Sequence, residues 1–266
     1  VIENKRNIWM GLFLATIFLL IQMLFQLQMF TPIFMILILL MISIAFLSET
    51  NRVFVWTIVS FAGGLFTFIY ADRLLLALPF SHANLILLNR LLLLFPILII
   101  GYVLYKFKAT FTAFRMKMEW GAIKLRGSRD LPIKGLYMMV LVLLLFVFLF
   151  YFIESLPVNW NGLWRAVAFS VLNAALVEVL FRGVLLTRFI TVIDKIPAVF
   201  FTSLSGAIAY YLFGYSFSYC FLFFVIGLLL GLLTIHTKSL LPAITGNFLL
   251  SMIFTFMNVI PFYYQY

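Results

Sequence analysis

Glu178 and Arg182 stand four residues apart inside a long apolar run, ALVEVLFRGVLL at 175–186. On an α-helix that spacing puts both on one face, with the glutamate first, which is the favourable order. A charge near the centre of a bilayer costs roughly 2.5–3.5 kcal/mol on insertion scales, so such groups are usually paired, inward-facing and functional. Two roles fit the spacing equally. The pair works on a substrate, or it ties its helix to the neighbouring ones. Asn173, Thr202, Ser203, Ser205 and Thr245 are further polar residues within apolar segments. Such side chains commonly hydrogen-bond between helices. Asn173 precedes Glu178 by five residues, only loosely on its face. Gly206, Gly227, Gly231 and Gly246 would let helices approach closely around these groups. His82 and His236 fall in a predicted outer loop and at a predicted inner span end. With one carboxylate they do not supply the three or four ligands of a metal site, so no metal and no cofactor is expected. Cys220 is the one cysteine and has no internal disulfide partner.

The elements that position these residues follow from composition. Of 266 residues 66% are apolar and 10% are charged, against about a quarter charged in soluble domains. Mean hydropathy is +1.20. The fold class is therefore all-α, a polytopic integral membrane bundle. Apolar runs of about 20 residues give nine spans: 8–28, 31–48, 53–70, 88–105, 135–153, 165–187, 197–213, 217–234 and 239–259. The first is too long for a signal-peptide core and no small-residue cleavage site follows it. The stretch 74–91 leaves room for a short re-entrant piece before the fourth span. No water-soluble domain is left over. With the N-terminus cytoplasmic, fourteen Lys and Arg lie inside and only Arg73, Arg90 and Arg165 outside, Arg182 being within a span. That asymmetry fits the positive-inside rule, and Trp9, Trp56, Trp160 and Trp164 near span ends fit it too. The C-terminal PFYYQY is then outside. The basic segment 106–134 interleaves Phe107, Phe111, Phe114, Met118 and Trp120 with its charges. It is expected to form an amphipathic helix on the anionic inner leaflet, with no role in nucleic-acid binding. The chain has no GxxxxGK[ST] phosphate loop and no paired broken helices of a transporter.

Around Glu178 the residues resemble a family. VEVLFRGVLL is similar to the EExxxR motif of the CPBP family, the CAAX-protease and bacteriocin-processing (Abi-type) intramembrane proteins. FTSLSGAIAYYLFG (201–214) occupies the place of that family's second motif, FxxxH. GLLLGLLTIHTKSLLPAITGNFLLS (227–251) resembles its third region, in which SLxPAIxxH leads into HxxxN. The resemblance covers about 135–260. It divides the chain into N-terminal spans with the basic segment, 1–134, and a CAAX-protease-like membrane core, 135–266. It implies an intramembrane endopeptidase in which the first glutamate activates water, assisted by a histidine from each later motif and an asparagine.

Residue by residue the chain departs from that pattern. Val177 stands at the first glutamate position. Glu178 and Arg182 keep the second glutamate and the arginine, and are the retained catalytic candidates. Tyr210 stands at the second-motif histidine, or Tyr211 if the register slips by one. Asn247 and Ser251 replace the third-motif histidine and its asparagine. Valine accepts no proton, and tyrosine and asparagine do not titrate near neutral pH. Glu178 is turned about 100° from position 177, and pairing with Arg182 would lower its basicity. The resemblance thus implies, first, a proteolytically inactive scaffold or regulator of another membrane or cell-surface protein. The second reading is a working endopeptidase on a lipidated tail or leader peptide, and the third a lipid or small-molecule carrier. In the first reading the ion pair is architecture inherited from an active site. The expected location is a bacterial plasma membrane, with the endoplasmic reticulum as the alternative.

Overall fold

The computed structural model describes residues 2–26, 32–119, 122–123, 131–154, 160–212 and 215–257. Trp120, Lys124, Arg126, Arg129 and the C-terminal PFYYQY, on which part of the expected topology rests, lie outside the described residues. The described chain is almost wholly helical: α1 (Ile2–Gln26), α2 (Pro32–Leu47), α3 (Glu49–Leu76), α4 (His82–Leu91), α5 (Leu94–Lys106), α6 (Ile133–Glu154), α7 (Trp160–Glu178), a π-helical segment Val179–Leu185, α8 (Leu186–Ile190), α9 (Lys195–Leu212), α10 (Phe217–Thr237) and α11 (Leu241–Phe256). A two-residue antiparallel pair, Ala122–Ile123 with Leu131–Pro132, precedes α6.

Six helical stretches among the described residues are long and apolar enough to cross a membrane: Ile8–Phe25, Asn51–Leu76, His82–Lys106, Tyr137–Glu154, Gly162–Ile190 and Phe217–Thr237. The helices α2 and α11 are apolar but shorter. The protein is a polytopic, all-α integral membrane bundle. The third of these stretches is broken at Leu92–Leu93, where the backbone tightens to Leu92 N–H on Asn89 O and Leu93 N–H on Arg90 O, both at 3.1 Å. Pro96 has no N–H to donate to the carbonyl four residues earlier, which is why an apolar run of this length does not stay one α-helix.

Two compact units interleave along the chain. The first comprises 1–69, 95–113 and 180–232. Within it α1 packs on α2 and α9, and α8 packs on α9. Its core is aromatic: Phe189 meets Phe18 at 5.3 Å and Phe54 at 5.0 Å, edge to face, and Phe61 meets Phe18 and Phe181. Tilted and edge-on ring pairs add roughly 0.5–1.5 kcal/mol each beyond their area. One polar bolt crosses this core. Gln22 Nε2 donates to Ser205 O at 2.8 Å and Ser205 Oγ donates to Gln22 Oε1 at 2.6 Å, both residues being buried. The Gln22 amide donates to the Ser205 carbonyl and accepts from the Ser205 hydroxyl, so neither side chain carries an uncompensated desolvation cost.

The second unit comprises 70–94, 114–179 and 233–266. Within it α11 lies against α7 and α6, and α4 lies against α7. Ala166, Met252 and Phe256 form its buried apolar centre, flanked by Phe148 and Phe152. The Tyr137 hydroxyl and the Thr245 hydroxyl share a hydrogen bond that fixes α6 on α11.

The expected amphipathic helix is absent from the described part of the basic segment: residues 107–119 are turns and extended pieces. Their backbone groups are taken by distant partners instead. Arg115 N–H donates to Lys238 O at 3.0 Å, Leu240 N–H to Arg115 O at 3.1 Å, and Glu119 N–H to Thr237 O at 2.9 Å. Upstream, Ala113 N–H donates to Thr187 Oγ1 at 3.0 Å. Lys238 Nζ closes on Glu119 Oε2 at 2.8 Å, and this partner holds the exposed Glu119 carboxyl below its ordinary range. Phe114 is buried rather than turned to lipid.

Candidate functional site

The motif-bearing helix α11 begins in SLLPAI, where Pro242 occupies the first turn and Leu241 N–H is taken by Ser239 Oγ at 3.2 Å. Proline suits that turn because its missing N–H would have had no partner there. From this start, Asn247 and Ser251 fall four residues apart on one face of α11, and both are buried. Glu178, the last residue of α7, has a relative exposure of 0%.

These residues meet in the second unit. Asn247 Nδ2 donates to Glu178 Oε1 at 2.8 Å. Ser251 Oγ reaches Asn247 Oδ1 at a long 3.5 Å, and Asn173 Nδ2 donates to Ser251 Oγ at 3.0 Å. A chain of polar groups therefore runs from Asn173 on α7 through Ser251 and Asn247 on α11 back to Glu178 on α7. Asn173 is the residue that spacing along one helix undervalued. Its link to Glu178 passes through the neighbouring helix, and no interval within α7 encodes that. Amide and hydroxyl groups can orient a carboxylate but cannot exchange protons with it near neutral pH. Val177, buried beside Glu178 in sequence, adds no polar atom.

Arg182 and Tyr210 belong to the first unit. Arg182 sits in the π-helical segment, with hydrogen bonds of the i to i+5 type, so the α-helical spacing assumed for it does not hold beyond Glu178. Within that unit its guanidinium passes over Gly227. A Cβ on Gly227 would stand 3.1 Å from Arg182 Nη2 and 3.0 Å from Ser203 Cβ. Glycine is what leaves room for the arginine. At Gly206, by contrast, a Cβ would meet the Phe181 ring at an ordinary 3.8 Å, so that glycine is not a point of forced close approach. Tyr210 stacks on Phe223 at 4.0 Å, with Tyr215 edge-on at 5.7 Å. Its ring is an aromatic packing element. Tyr211 is half exposed, and His82 and His236 are exposed.

Residues 159–257 match the family described as type II CAAX prenyl endopeptidase, Rce1-like. This segment of the chain is similar to that family. No curated protein and no solved structure matches the chain. The Rce1-like segment contains every motif position named above, from Val177 to Ser251. Within it Asn247 donates to Glu178.

Proposed function

We propose that this CPBP-like membrane protein is a proteolytically inactive scaffold that binds another membrane or cell-surface protein. Its expected setting is a bacterial plasma membrane, with the N-terminus cytoplasmic. One observation carries the reading: the buried Glu178 carboxylate is engaged by the Asn247 amide at 2.8 Å, so a group that cannot accept a proton occupies the position of a proton shuttle. A general base needs a titrating partner or free water in reach and a pKa near the working pH. Val177, Asn247 and Ser251 supply no such group.

The test is hydrolysis by the chain reconstituted in vesicles, with a prenylated CAAX peptide and a bacteriocin-type leader peptide as separate substrates. The expected result is release no faster than from protein-free vesicles, and no change on Glu178→Gln. Cleavage that Glu178→Gln abolishes would replace the scaffold with the endopeptidase reading. Purification from native membranes in mild detergent is the positive arm, and one membrane or surface protein recovered at stoichiometric amount is the expected outcome.

A further inference from the structure

Ser170 and Asn173 are three residues apart on α7, hence on one face of it. Their relative exposures are 0% and 4%. Ser170 Oγ and Asn173 Oδ1 have no hydrogen-bond partner among the described residues. Exchanging O and N of the Asn173 amide does not cure this. Ser251 Oγ engages one end of the amide at 3.0 Å in either assignment, and the other end is left over. Two buried polar atoms without partners, three residues apart on the helix face that meets α11, are unusual, because such groups in folded proteins are nearly always satisfied by protein or by bound water.

We infer that the α7–α11 seam of the second unit is a hydration site, with water bound between Ser170 and Asn173. A buried water typically makes about three hydrogen bonds. The Ser170 hydroxyl and the free end of the Asn173 amide provide two. Ser251 Oγ, whose own reach to Asn247 is a long 3.5 Å, provides the third. The site takes water rather than a cation: these groups are neutral, and the nearest carboxylate in the polar chain, Glu178, lies five residues beyond Asn173, about 7.5 Å along the helix axis. Val177 is seven residues on from Ser170 and returns to the same face. The apolar side chain at the position of the family's first glutamate thus lies further along that face, about 10.5 Å from Ser170 along the helix axis. The hydration site does not depend on whether the chain cleaves peptides.

Ser170→Ala in the full chain separates wet from dry by sign. A dry seam would lose only an unsatisfied hydroxyl, so thermal stability in detergent would stay the same or rise. A hydrated seam would lose a water partner, and the midpoint would fall by about 2–4 °C. The fall is the expected result. A second readout is magnetisation transfer between bulk water and the Asn173 side-chain amide protons in the reconstituted, isotope-labelled chain. Transfer that weakens in Ser170→Ala is expected. No transfer, or an unchanged or higher midpoint, overturns the inference.

Discussion

At the scale of single residues, the Asn247 amide holds the Glu178 carboxyl in place. Its N–H fills one lone pair of Glu178 Oε1, and nothing in an amide takes a proton back. Leaving a buried acceptor unsatisfied costs about 1–3 kcal/mol, so Asn247→Leu, which keeps the number of side-chain heavy atoms, should destabilise the chain by about that amount. Thermal or denaturant unfolding in detergent reads it, and the same substitution in a Glu178→Gln background should cost clearly less, because the charged acceptor is gone. Equal costs in both backgrounds would mean that the loss is packing alone. Much of this was legible beforehand. The SLLPAI phrase fixes where α11 starts, and from that start Asn247 and Ser251 follow by counting. The partnership of Asn173 with Ser251 was not, since it depends on how two helices are rotated against each other. No periodicity within either helix records that rotation.

At the scale of elements, helix existence was readable and local helix type was not. The apolar runs marked the helices because every backbone polar group in a bilayer needs an internal partner. VLFRGVL carries no composition that distinguishes a π turn from an α turn, and its form is set by packing around it. The basic segment misled for a related reason. Alternating aromatic and basic residues suit a surface helix, yet they suit equally a loop whose backbone is paired to residues 237–240, a partner more than a hundred positions away. Glycines divide in the same manner. Gly63 and Gly64 are adjacent in α3, but a Cβ on Gly64 would lie 2.3 Å from Pro96 Cα while one on Gly63 meets nothing within 4 Å. Backbone cannot swing aside as a flexible side chain can. Gly64→Ala should therefore destabilise by about 1–3 kcal/mol or more. Gly63→Ala should be neutral or gain up to about 1 kcal/mol from helix propensity. Parallel melts of the two variants check the pair, and a tolerated Gly64→Ala would contradict the close passage of α3 against Pro96.

At the scale of the whole molecule, direction across the bilayer is written in charge rather than in packing. Helix packing is indifferent to which leaflet is which. Charge is not, because Lys and Arg are retained on the cytoplasmic side during insertion. Fourteen basic residues fall on one predicted side and three on the other. Two positions of the second unit make this concrete. His82 is exposed at the start of α4, and Lys117 is exposed in the loop paired with residues 237–240. The positive-inside assignment puts His82 outside and Lys117 inside. The one native cysteine, Cys220, is buried and can be removed as Cys220→Ser to give a blank background. On that background His82→Cys should react with a membrane-impermeant maleimide in intact cells. Lys117→Cys should react only after permeabilisation. The reverse pattern would invert the chain. Labelling of both from outside would mean an odd number of crossings too many or too few between the two positions, and the nine-span scheme would fail at the broken α4–α5 stretch, where one apolar run is already divided in two.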